Sequence, residues 1–229
     1  MLVLTIDQQG SRRVGDRVEE LLDAFASLPA MAPGASGVVR PFERTVGDEV
    51  QAVLDDADLA VDLALTVLRR GGWSVGIGAG PVDELLPASA RAGSGAAFVL
   101  ARAAVERAKS RARVVPIAVA GSDAPAAADA EAVLTLVAAI GERRTPAGWE
   151  VIDRVREPGA GARQEDVAKR LGISQQAVSQ RLRAALWAEE LGARPLAARL
   201  LVAAGTEAGT EAGAEAGTEA AANGRRVDK

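Results

Sequence analysis

The chain has 229 residues, 48% of them apolar but only 3% aromatic, with no cysteine, no histidine and a formal net charge of −4. That length holds one large domain or two small ones around a core built from Ala, Val and Leu. The missing residue types exclude disulfides, thiolate zinc sites, histidine acid–base chemistry and Ser-His-Asp triads, so a metal here must be a hard cation on carboxylates and carbonyls. A net acidic chain is not an indiscriminate nucleic-acid coat, although a local basic surface on an acidic body is compatible with it.

Leu2 to Ile6 is a short apolar run suited to a buried strand, and the spacing of Val18, Leu21, Leu22 and Phe25 predicts a helix over Val14 to Leu28. The apolar start is too short for a signal peptide, and charges interrupt the later apolar runs, so no membrane span and a cytoplasmic setting are expected. Two extended runs, Val38 to Val46 and Val50 to Leu54, flank Gly47-Asp48-Glu49, which reads as a hairpin. A helix over Asp56 to Arg70, a strand over Trp73 to Ala79, a helix over Gly95 to Lys109 and a strand over Val114 to Val119 follow. The expected fold class is α+β. The order β-α-β-β-α-β-α-β suits a ferredoxin-like or palm arrangement over residues 1 to 121, and its central hairpin speaks against a doubly wound parallel sheet.

Gly121 to Pro125 marks a boundary, with a connecting helix expected over Ala126 to Arg143, inside a linker of residues 122 to 145. Thr145-Pro146 starts a support helix carrying Trp149, Ile152 and Val155, and Glu157-Pro158-Gly159 breaks it. Gln164 to Leu186 reads as a helix-turn-helix. Gly172, four residues after the small Ala168, ends one helix, and Ser174 caps the next. Val167, Leu171, Ile173, Val178 and Leu182 face inward. Gln175, Gln176, Ser179, Gln180 and Arg183 face outward, a residue set able to bond base edges in the major groove, with Lys169, Arg170 and Arg181 beside them for the backbone. The pattern is similar to the helix-turn-helix of MarR-type regulators and of the promoter-reading region of sigma factors. The partners this implies are double-stranded DNA and, since one unit binds weakly, a second copy of the chain. The alternative is a helical hairpin whose polar face meets water.

Trp187 to Ala204 is expected to remain helical with a break near Gly192 to Pro195, completing an all-α unit over 146 to 204. Its Leu191, Leu196, Leu200 and Leu201 suit packing or dimer contacts. The last residues, 205 to 229, repeat a Gly-Thr/Ala-Glu-Ala unit with nothing large to bury, and a disordered tail is expected.

Asp7 at a strand end and Asp48 at the hairpin tip should fall at one end of the sheet, with Glu49 nearby, as carboxylates that hold Mg²⁺ and a nucleotide do. Gly10, Ser11 and Arg12, with Arg13, form a glycine-containing turn beside them that suits phosphate. The plainer readings are a Gly-Asp turn, a capping Asp and a solvated arginine pair. The glycines at 76, 78 and 80 fit close backbone packing better than a phosphate loop.

The segments TIDQQGSRR, FERTVGDEVQAVL, VGIGAGPV and GSGAAFVLARAAVERAK, in this order, resemble the SatD family over residues 1 to about 120. Members of that family are similar to the palm of class III nucleotidyl cyclases, and commonly continue into a helix-turn-helix. The resemblance implies Asp7, Gly10, Ser11 and Arg12 as the leading Asp-x-x-Gly-Ser-Arg element. Where cyclases carry the Asn and Arg that stabilise the transition state, this chain has Val99 and Ala103, with Arg102 one position early. Neither apolar side chain bonds phosphate, which argues against cyclase activity and leaves binding of a metal–nucleotide or another phosphate ligand as the alternative function.

Overall fold

A computed structural model describes residues 1–32, 34–83, 86–87, 89–157 and 163–206. It is a mixed α+β fold, with a five-stranded sheet in the N-terminal part followed by helices. The strands are β1 (Leu2–Gln8), β2 (Val38–Arg44), β3 (Glu49–Leu54), β4 (Trp73–Ala79) and β5 (Ile117–Gly121), in the order β2-β3-β1-β4-β5. All neighbours are antiparallel except β4 and β5. The helices are α1 (Ser11–Val14), α2 (Val18–Ala26), α3 (Ala57–Arg70), α4 (Ala96–Ala108), α5 (Ala124–Glu142), α6 (Pro146–Arg156), α7 (Gln164–Leu171), α8 (Gln175–Ala184) and α9 (Trp187–Ala204).

Alternation along the strands divides the sheet into two faces. Leu2, Leu4 and Ile6 of β1 and Val75 and Ile77 of β4 share one core with α2, α3, α5 and α9. The opposite face carries α4, seated on Gly76 and Gly78, where an added Cβ would lie 2.3 Å from the Val105 amide nitrogen and 2.1 Å from the Ala97 oxygen respectively. The alternating glycines are therefore a packing device.

The expected connecting helix is part of the main body. α5 and α9 lie together in the core against the sheet, with Leu134, Val137 and Leu201 buried, so no break in packing occurs at residue 121. By length and hydropathy alone α5 is apolar enough to cross a membrane; here one face of it is in this core. Its Glu131 accepts from the Val119 amide at 2.9 Å, while Arg107 and Arg113 donate to the carbonyls of Val119 and Ile117, each at 2.7 Å. These side chains occupy polar groups on the outer edge of β5 that a further strand would need.

Three boundaries differ from expectation. The first helix is divided, because the buried Gln8 accepts from the Arg17 amide at 2.8 Å and donates to the Gly15 carbonyl at 2.6 Å, fixing a turn there. β5 begins after Pro116, which has no N–H to give a ladder, and Val114 is turned to solvent. α9 runs unbroken through Pro195; the carbonyl this proline leaves without a helix donor is that of Leu191, an exposed residue.

Candidate nucleic-acid interface

α6, α7 and α8 form a small cluster around Val151, Val167, Ala168 and Val178, joined by Leu171, Ile173 and Leu182. Thr145 caps α6, accepting from the Gly148 amide at 3.1 Å. α7 stops at Gly172, whose φ of 65° and ψ of 30° are left-handed. The Ile173 amide bonds back to Ala168 at 3.1 Å and the Gly172 amide to Lys169 at 3.4 Å, which uses carbonyls the helix end leaves open and folds Ile173 inward. Ser174 then caps α8, accepting from the Ala177 amide at 3.1 Å.

This geometry turns one face of α8 outward. Gln175, Gln176, Gln180 and Arg183 are exposed and Ser179 is half-buried, with Arg183 3.4 Å from the Ser179 hydroxyl. Lys169 and Arg170 are exposed at the end of α7. Arg170 pairs with Glu157 at 3.3 Å and Arg181 with Glu150 at 3.1 Å. Surface pairs of this kind are worth at most about 1 kcal/mol, so exchanging the carboxylate for a phosphate costs little. Arg163, at the N-cap of α7, is a further exposed cation of the cluster, which the sequence did not single out because it precedes the helical pattern. α8 ends at Ala184, short of the Leu186 at which the expected helix-turn-helix ends, because Leu186 takes a left-handed conformation at φ 51° and turns the chain into α9. Trp187 goes instead into a second small core with Ile152 and Ala185.

The other predicted site is also assembled, but with different chemistry. Asp7 stands opposite Glu49 in the sheet register, and the Gln8 amide bonds the Asp48 carbonyl at 3.1 Å, so the three acidic residues share one sheet end. The group facing Asp7 is Lys109 at the end of α4, 2.9 Å away. Burial pushes the Asp7 carboxyl up from its ordinary value; Lys109 opposes this, and the nearby Asp48 and Glu49 add to it. Glu49 accepts from the Thr45 hydroxyl at 2.6 Å. Among the described residues no group of three His, Cys, Asp or Glu side chains is arranged to hold a metal ion. With Lys109 already supplying the positive charge at Asp7, these residues do not fit a Mg²⁺–nucleotide centre. Val99, 71% exposed, and Ala103 lie on the outer side of α4.

Gly10, left-handed at φ 68°, and Arg12 line an open groove of about 780 Å³ with Arg13, Lys109, Ser110 and Arg111; Ser11 lies outside that lining. The acidic repeat, the Pro158-Gly159 break and residues 207–229 lie outside the described residues. Comparison with family models, curated proteins and solved structures finds no match to this chain.

Proposed function

We propose that this protein binds double-stranded DNA as a transcriptional regulator, with α7 and α8 as a helix-turn-helix and α8 as the helix that enters the major groove. The observation carrying this reading is the outward row Gln175, Gln176, Gln180 and Arg183 on a helix whose opposite side is fixed by Val178 in a core. Gln offers a bidentate match to adenine and Arg to guanine, while Lys169, Arg170 and Arg181 would serve the phosphates. The left-handed stop at Gly172 and the Ser174 cap support the motif, as does the resemblance to MarR-type and sigma-factor reading heads. Two copies bound to two half-sites supply the affinity a single unit lacks. In this reading the order β2-β3-β1-β4 is a palm-like, ferredoxin-like sheet with β5 added at its edge, in keeping with the SatD resemblance, and it serves as scaffold or ligand sensor.

The test is selection of bound fragments from random duplex DNA, followed by titration of the selected site. Arg183→Ala and Gln176→Ala should each cost about 1–3 kcal/mol of binding and relax the preference at one base position. With about four phosphates met by each copy of a dimer, the log–log salt slope should be about −7. No enrichment, or a slope near zero, overturns the proposal.

A further inference from the structure

A cavity of about 190 Å³ lies where α6 meets α3, α5 and α9. At roughly 30 Å³ per water it holds about six waters, or an organic molecule of six to eight heavy atoms. Its walls differ sharply. Leu65, Leu68, Val137 and Ala138 make one side apolar, and Trp149 borders it. The polar side holds Arg144, Glu190 and Arg194, whose side chains are 1%, 3% and 14% exposed.

The formal charges of Arg144, Arg194, Glu190 and Asp62 cancel, but the pairing among them is uneven. Glu190 faces both arginines, Arg144 and Arg194 each at 2.5 Å. Arg194 has a second partner in Asp62 at the rim. Arg144 has none: its Nε donates to the Ala185 carbonyl at 2.7 Å, but neither Nη atom has a hydrogen-bond partner of good geometry. Its guanidinium also lies 4.7 Å from the centre of the Trp149 ring. A buried guanidinium with unused donors is costly, and a carboxylate, whose two oxygens match the guanidinium fork, is the anion that relieves it. A single open fork favours a monoanion over a phosphate dianion, and the apolar wall favours a hydrocarbon tail.

We propose that this cavity binds a short-chain aliphatic carboxylate, its carboxylate at Arg144 and Arg194 and its tail along Leu65 and Ala138. The site does not depend on DNA binding and is tested without DNA. Full-length protein is titrated with hexanoate, with hexan-1-ol as the uncharged analogue and with inorganic phosphate, reading tryptophan emission and the melting temperature. Hexanoate should change the emission saturably at millimolar concentration and raise the melting temperature, while hexan-1-ol and phosphate do neither. Ala138→Leu fills the apolar end without touching the charges and should weaken hexanoate by about tenfold or more. Arg144→Gln, checked for cooperative unfolding, should abolish the response; if it does not fold, Ala138→Leu still decides. No saturable response, equal binding by Ala138→Leu, equal binding of hexan-1-ol, or protection by phosphate in place of hexanoate overturns the proposal.

Discussion

Gly172 and Gly78 are both required to be glycine, for opposite reasons, and substitution separates the two. At Gly172 an added Cβ meets nothing within 4 Å, so Gly172→Ala introduces no clash. Its whole cost is the left-handed conformation at φ 65°, about 1–2 kcal/mol for a residue with a Cβ. For a chain of this size each kcal/mol moves the melting temperature by about 2–4 °C, so a fall of about 2–8 °C is expected. Asparagine enters the left-handed region more readily, and Gly172→Asn should lose roughly half as much. At Gly78 the sign of φ is ordinary, but the Cβ would stand 2.1 Å from the Ala97 oxygen and 2.3 Å from the Ala101 nitrogen, both backbone. α4 must then lift from the sheet, and Gly78→Ala and Gly78→Asn should both cost more than about 3 kcal/mol, Asn the more. Thermal and urea unfolding of the four variants reads all of this. If Asn and Ala are equally damaging at position 172, or if Asn is the milder at 78, the assignment of conformational cost to one glycine and steric cost to the other is refuted.

Val178→Ala, at the fully buried centre of the cluster under α8, should cost about 2 kcal/mol in urea unfolding; Arg183→Ala, on the exposed side, should leave the midpoint unchanged. Hydrogen bonds from the Val119 amide and Arg113, with the charges of Arg113 and Arg107, hold the Glu131 carboxyl below its ordinary value against the opposing effect of burial. Its stabilisation is therefore present above the unfolded value near 4.5 and lost as pH falls through the lower folded value. Glu131→Gln should flatten the acid limb of the stability curve, and an unchanged limb would count against it. Asp7 runs the other way: burial raises its folded value, so its contribution to stability is full below about 3.8 and is lost as pH rises through the raised value. Asp7→Asn should raise the melting temperature at pH 7 relative to wild type and lose that advantage in acid. A melting temperature lowered at neutral pH would mean that the Lys109 pair outweighs burial.

Local signals were readable where the determinants are close in sequence. Ser174, Gly172 and the spacing of Val167, Val178 and Leu182 specify two short helices and their inward side, because a cap and a helix stop act over one turn. Asp7 and Asp48, with Glu49 beside them, could be placed at one sheet end from strand order alone. What escaped was set by partners distant along the chain. Lys109, which changes the chemistry at Asp7, lies 102 positions later at the far end of α4. Gln8 divides the first helix by reaching the Gly15–Arg17 turn from inside the core. Pro195 is a helix breaker by propensity, yet α9 keeps its course because packing of Ala197, Ala198 and Leu201 outweighs one missing hydrogen bond. The role of α5 was hidden in composition: its alanine-rich face reads as featureless until α9 is laid against it.

α9 begins at Trp187 in the core under α8 and ends at Ala204, whose carbonyl oxygen would lie 2.4 Å from a Cβ on Gly121 at the end of β5. Eighteen helical residues span about 27 Å, making a stiff strut with one foot in each compartment. The α6–α8 cluster is thus not a tethered appendage swinging on a linker. Any tilt of it must drag a beam through the alanine-lined seat beneath the sheet, and severing the chain behind β5 would strip the sheet of its lining and should leave an insoluble fragment.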